Sequence, residues 1–216
     1  MWRALFCVIV GVVATVSDTG QGCDQSPAFD YYLFVQQYAP SFPGNEAHDY
    51  FTVHGLWPSR NGNHTLSSYP CFCHHADPDL EPGGLSSALQ RDLRTFWPTL
   101  MPGHSNEWFW SHEWGKHGTC AVTLPTATAY FQTTLDLRAQ YDLRRVLPLS
   151  LLDSRQYSPE VIRQTVRAHY SVTPLVSCHH HTMLSIALCV DRHSHQVVEC
   201  SPAVLHGSFN TCDSGP

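Results

Sequence analysis

Nine cysteines in a chain of 216 residues, one of them inside an N-terminal apolar run, constrain the fold more than any other feature. The chain begins MWRALFCVIVGVVATVSDTGQG: Arg3 supplies a positive start, Ala4 to Val16 form the run, and small polar residues follow. That order is the pattern of a cleaved secretory leader. The run is too short for the ~20 apolar residues that span a bilayer, so residues 1–22 are expected to be removed with no membrane anchor left behind. Cys7 leaves with the leader, while Cys23, Cys71, Cys73, Cys120, Cys178, Cys189, Cys200 and Cys212 remain. An even number in a secreted chain implies disulfides, although spacing alone leaves their connectivity open.

A metal site is the competing use of these thiols, because CFCHH (71–75) and CHHH (178–181) set cysteines beside imidazoles. C-x-C followed directly by two histidines lacks the usual C-x2-C loop of structural zinc sites, and an oxidising compartment favours pairing the thiols. No metal or other cofactor is expected. The composition is 43% hydrophobic and only 14% charged, which suits a single cored domain over residues 23–216. Net charge is −6, so the broad basic footprint of a nucleic-acid binder is missing. Any polyanionic substrate would have to be held by a local positive site, to which the 15 histidines can contribute below their ordinary pKa.

FDYYLFVQQY (29–38) is aromatic, β-branched and apolar on both faces, which predicts a strand in the middle of a sheet. YFTVHGLW (50–57) alternates Phe51 and Val53 against Tyr50, Thr52 and His54, then meets Gly55 and Pro58, so His54 is expected at a strand end. Residues 59–84 read as a long loop containing a glycosylation sequon at Asn63. Leu85, Ala88, Leu89, Leu93 and Phe96 repeat at helical spacing, Thr126 to Arg145 reads as a longer helix, and Ser158-Pro159-Glu160 is a helix start. Three short strands follow in PLVSC, MLSIALCV and QVVEC. The expected class is α+β, a central antiparallel sheet flanked by helices and held by disulfides.

One stretch concentrates unusual chemistry. WSHEWGKHGTC (110–120) carries Lys116, the only lysine in the chain, with His112, Glu113 and His117. On a helix, His112 and Lys116 form one i,i+4 row and Glu113 and His117 the adjoining one. The zinc-protease motif H-E-x-x-H also starts with His-Glu, but here the second histidine falls five positions on and the two rings diverge. Most surface ion-pair helices are solvated and weak. Here the flanking Trp108, Trp110 and Trp114 are expected to dry and shape a pocket instead. The set suits attack on an RNA phosphodiester, whose 2′-hydroxyl is the nucleophile and which DNA lacks. Two histidines near their pKa serve as base and acid, while a lysine and a third imidazole stabilise the developing charge.

FTVHGLWPS (51–59) and FWSHEWGKHGTC (109–120) resemble the two active-site segments of the ribonuclease T2 family, and FDYYLFVQQY, YPCFC, FWPTL and AYFQTTLDLR are similar to its plant-type members. The resemblance implies that His117 is the general base, His54 the general acid, His112 a phosphate holder, and Glu113 and Lys116 stabilisers of the pentacoordinate transition state. It places Trp57 at the phosphate and base site, and Gln37, Asn106 and Phe109 at a base subsite of relaxed specificity. It further implies disulfides Cys73–Cys120, Cys178–Cys212 and Cys189–Cys200, leaving Cys23 and Cys71 to pair with each other. The expected protein is therefore a secreted, monomeric, metal-independent endoribonuclease acting on single-stranded RNA at mildly acidic pH. Its products would be 2′,3′-cyclic and then 3′-phosphate ends, and a vacuolar or lysosomal destination is equally compatible with the leader. The alternatives are a metallohydrolase built on CHHH and CFCHH, and a secreted RNA-binding or signalling protein with incidental cleavage.

Overall fold

β2 (Tyr31–Tyr38) is apolar on both faces because both faces are covered. In the computed structural model, which describes residues 23–45, 49–61, 69–73, 84–152, 158–179 and 183–205, β2 lies between β3 (Phe51–Ser59) and β6 (Met183–Asp191). β5 (Leu175–His179) and β7 (Val197–Val198) pair with the other edge of β6, and the sheet is antiparallel throughout. Tyr32, Phe34 and Tyr38 join the main core, whereas Val35 joins a smaller cluster with Leu175, Ala187, Cys189 and Cys200, against which Tyr31, Leu33 and Trp57 pack.

The main core is closed by α1 (Ser87–Phe96), α3 (Ala127–Gln140) and α5 (Pro159–Tyr170), with Leu89 and Leu93, Tyr130 and Phe131, and Ile162 and Val166 as their buried faces. Short helices α4 (Leu149–Leu152) and α6 (Pro202–Leu205) complete the set with α2 (Asn106–Lys116). α1, α2, α3 and α5 all start on a hydroxyl cap: Ser86, Ser105, Thr126 and Ser158 accept N–H bonds from Leu89, Trp108, Ala129 and Val161. Each satisfies a donor that the first helical turn would otherwise leave unpaired.

Outside the main sheet, β1 (Cys23–Asp24) pairs in parallel with β4 (Tyr69–Pro70), an ordered island inside the stretch expected to be loop. Disulfides join Cys23 to Cys71, Cys73 to Cys120 and Cys189 to Cys200. The thiols of CFCHH are therefore consumed in bonds. The leader of residues 1–22, Asn63 and Cys212, the expected partner of Cys178, lie outside the described residues.

Two expectations change. The helix from Thr126 ends at Gln140, because Tyr141 leaves helical backbone and the Asp142 carboxylate caps a separate 3-10 turn over Leu143–Arg145, accepting the Arg144 N–H at 3.1 Å while holding Arg138 at 3.1 Å. His54 is not at a strand end, since β3 runs on through Gly55 and Pro58 to Ser59. Val35 pairs with Gly55 but Gln36 with Val53, so His54 is the extra residue of a β-bulge. The bulge reverses the strand's alternation: Phe51 and Val53 face the main core, then Leu56 takes over that face. Pro58 is tolerated because β3 is the end strand of the sheet and its far side needs no ladder donor.

Candidate active site

The bulge aims His54 across the sheet edge at α2. A cleft of about 420 Å³ lies between them, lined by His54, Trp57, Pro58 and Ser59 of β3, His112, Glu113, Lys116 and His117 at the C-terminal half of α2, and Leu33 and Tyr69. All five residues expected to do chemistry thus meet in one place, four from one helix and its cap and the fifth from a strand far away in sequence. Two indoles fix the strand beneath them: Trp97 Nε1 donates to the His54 carbonyl at 2.9 Å, and Trp110 Nε1 donates to the Trp97 carbonyl at 2.7 Å. On the other side the Tyr130 hydroxyl donates to the Leu56 carbonyl at 2.9 Å.

The two rows of α2 sit in different surroundings. Glu113 and His117 are buried at 2% and 7% exposure, while His112 and Lys116 are half-buried at the cleft wall. Trp57 Nε1 donates to Glu113 Oε2 at 2.9 Å, and Glu113 Oε1 lies 3.9 Å from His54 Nε2. The His117 ring lies between Trp57 and Tyr69, with centroids 5.3 and 6.1 Å away and both planes inclined at 29°. Its Nδ1 is buried without a hydrogen-bond partner. Lys116 Nζ lies 5.7 Å from the Tyr69 ring centroid. The backbone of the Tyr69 segment is fastened to the end of α2, with Phe72 N–H donating to the Lys116 carbonyl at 2.9 Å and Cys73 N–H to Thr119 Oγ1 at 3.1 Å, beside the Cys73–Cys120 disulfide.

Burial sets the protonation pattern. It raises the Glu113 carboxyl to about 8, against the opposing influence of the Trp57 hydrogen bond and the Lys116 charge. Burial, followed by the charges of His112 and Lys116, pushes His54 down to about 4. His117 is lowered as well, by burial first and then by Lys116, His54 and His112. With three imidazoles and an ammonium around one neutralised carboxyl, the cleft resists further positive charge. His54 keeps 31% of its side chain exposed at the cleft, so an entering anion reaches it.

Trp108, Trp110 and Trp114 do not line this cleft, contrary to expectation. Trp110 and Trp114 are turned into the core and Trp108 is 43% exposed, because helical rotation takes positions 110 and 114 off the face that carries 112 and 116. Trp57 and Tyr69 form the aromatic walls instead. Sequence reasoning also passed over Gly55: a methyl group there would overlap Trp57 Nε1 and Glu113 Oε2. The glycine within HGLW was the available signal.

A second cavity of about 340 Å³ shares His54 with the first and is lined by Gln37, Phe42, Pro43, Thr99, Leu100, Met101, Pro102, Phe109 and Met183. Gln37 and Phe109 stand in its wall. Asn106 supports that wall from behind, its Oδ1 accepting the Thr99 N–H at 2.8 Å.

The model of the Ribonuclease T2 family matches residues 29–200. Ribonuclease 1 of Arabidopsis thaliana is 32% identical over 218 residues, covering 92% of this chain and 91% of the relative. Extracellular ribonuclease LE of Solanum lycopersicum is 32% identical over 219 residues, with 91% and 90% covered. Among solved structures, an RNase MC1 mutant in complex with 5′-GMP superposes with a TM-score of 0.63 at 28% identity, covering 81% of this chain and 95% of that one.

Proposed function

The chain belongs to the ribonuclease T2 family, and from that premise we propose that it is an endoribonuclease cleaving single-stranded RNA by transfer of the phosphodiester to its own 2′-hydroxyl. The observation that carries this reading is the convergence of His54 on His112, Glu113, Lys116 and His117 around one anion-seeking cleft.

His117 is the general base. Its lowered pKa keeps the ring neutral in mild acid, and its fixed position between Trp57 and Tyr69 holds it in one orientation. It takes the proton of the 2′-hydroxyl as that oxygen attacks phosphorus. His54 is the general acid, giving a proton to the departing 5′-oxygen. In the empty cleft burial and the His112 and Lys116 charges keep it neutral. The phosphate reverses that balance, since its negative charge offsets both and favours the imidazolium. Substrate entry and proton uptake are therefore coupled, which gives the acidic pH preference. Glu113, uncharged below about 8, offers a proton to a non-bridging oxygen rather than repelling it. His112 and Lys116 supply positive charge to the pentacoordinate transition state.

The 2′,3′-cyclic product is then hydrolysed to a 3′-phosphate by the same histidines with their roles exchanged. Gln37 and Phe109 in the second cavity receive a base beside the scissile bond, and an amide among apolar walls accounts for relaxed base preference. We assign the activity to residues 23–216 acting as a monomer after loss of the leader, secreted to the extracellular space and carrying a glycan at Asn63. The proton transfers and charge stabilisation are all supplied by side chains, so no cofactor is required. The test is digestion of single-stranded RNA at mildly acidic pH with EDTA present, wild type beside His117→Ala. Cyclic-phosphate ends from the wild type and none from the variant are expected. EDTA-sensitive cleavage, or cleavage without cyclic ends, would overturn the mechanism.

A further inference from the structure

The open row of α2 does not stop at the cleft. One helical turn before His112 on the same row stands Trp108, His104 continues the line just ahead of the helix, and the three rings form a ladder. Trp108 lies 5.5 Å from His112 with planes 13° apart, and His104 lies 3.9 Å from Trp108 with planes 28° apart. A cap is not the reason for this arrangement, because Ser105 already accepts the Trp108 N–H at 3.1 Å. A staple closing the first turn needs only two apolar groups. Here a large, 43% exposed indole stacks with two imidazoles, one from the turn on either side of it.

The ladder leads in a definite direction. His54, which gives its proton to the leaving 5′-oxygen in the reading above, borders both cavities. The leaving nucleotide therefore lies toward the second cavity, whose rim includes Thr99 to Pro102. His104 follows that rim directly, its N–H donating to the Met101 carbonyl at 3.4 Å. The charged groups on this stretch are Glu107, which is engaged by Arg94 at 3.2 Å, and Lys116, which the row reaches beyond His112.

We propose that His104, held on the face of Trp108, is a phosphate subsite for the RNA chain on the 3′ side of the cleaved bond. The proposal rests on the ribonuclease reading for its direction and extends it from a dinucleotide to a longer strand. An indole between two imidazoles, whose ring N–H groups can donate to phosphate oxygens, suits a flexible single strand, which is gripped through its backbone and stacked bases without reading sequence.

The experiment compares a dinucleoside phosphate with an oligoribonucleotide of about eight nucleotides, at one mildly acidic pH, for wild type, His104→Ala, Trp108→Ala and Trp108→Phe. His104→Ala and Trp108→Ala are expected to lower kcat/KM on the oligomer ~5–20-fold, to change the dinucleoside less than ~2-fold, and to reduce the slope of log affinity against log salt by about 0.7, one single-strand phosphate contact. Trp108→Phe should keep most of the activity. Equal losses on both substrates would overturn the subsite and make Trp108 a positioning residue for His112. No loss on either would reduce the ladder to a staple. Binding of a 2′-deoxy oligonucleotide of the same length separates the two readings. If the wild type cleaves nothing but binds it in a His104-dependent way, the subsite stands and the ribonuclease reading falls. If binding too ignores His104, both fall.

Discussion

Two rows of one helix line the same cleft from opposite environments. Glu113 and His117 are sealed against Trp57 and Tyr69, and burial strips both of charge: the carboxyl is raised to about 8 and the imidazole lowered. His112 and Lys116, a quarter-turn away, stay half open to water and continue outward through Trp108 to His104. The difference teaches how a single α-helix divides labour. Groups that must move protons need fixed positions and shifted pKa values, which a dry wall provides. Groups that attract a polyanion need reach and retained charge, which only the wet face allows.

The sharpest way to break this comparison is to remove His117, the proposed base, from the dry row. His117→Ala should lower kcat ~10³–10⁴-fold while leaving substrate affinity nearly unchanged, as steady-state kinetics would show. A comparable loss from His104→Ala would erase the distinction between the rows. Next comes Gly55→Ala. The added methyl would displace Trp57 and Glu113, and misplacing groups by about 1 Å is expected to cost ~10²-fold in kcat with ~1–3 kcal/mol of stability from overpacking. Thermal denaturation and kinetics on the same sample check both.

Removing charge from the wet row should act differently. Lys116→Met is expected to cost ~10–100-fold in kcat/KM, with a weaker salt dependence than the wild type because one phosphate contact has gone. A kinetic salt series measures it. A loss independent of salt would place Lys116 functionally with the buried row.

The last expected effect leaves activity aside and concerns stability against pH. The folded-state pKa of Glu113 is raised from 4.5 to about 8, so the native state holds a proton there that the unfolded chain has released. Its contribution is present below 4.5 and is lost as pH rises toward 8. His54 and His117 have the opposite sign, because their depressed pKa values make the unfolded chain the better proton acceptor as pH falls below 6.5. Glu113→Gln keeps an acceptor for Trp57 but removes the alkaline loss. Its Tm relative to the wild type should therefore climb with pH between 4.5 and 8, while the fall in stability below 6.5 remains. A constant Tm difference across that range would mean that Glu113 is charged in the native state.

Much of this division is legible in the order of residues. His112 with Lys116 and Glu113 with His117 are i,i+4 pairs, and any helix over that stretch must form the two rows. Thr126 and Ser158, hydroxyls ahead of helical sequence, mark the starts of α3 and α5. The two-sided apolarity of Tyr31 to Tyr38 announces a central strand. All of these are properties of neighbours along the chain, and backbone geometry alone carries them from sequence to shape.

The orientation of His54 is of another kind. On paper the alternation through Phe51 and Val53 stops at His54 before Gly55 and Pro58, yet β3 runs on, and its pairing with β2 skips one residue and turns that residue toward α2. Neither strand encodes the skip by itself, because it is a property of their register. Nor do the three tryptophans of α2 reveal that their expected role passes to Trp57 and Tyr69, residues brought over by β3 and by the β4 segment fastened beside Cys73–Cys120. The sequence alone determined which chemical groups the protein carries and which short elements hold them. Tertiary structure alone decided which of those groups lost their water, and therefore their charge, because desolvation depends on what packs from every direction and no local pattern contains that.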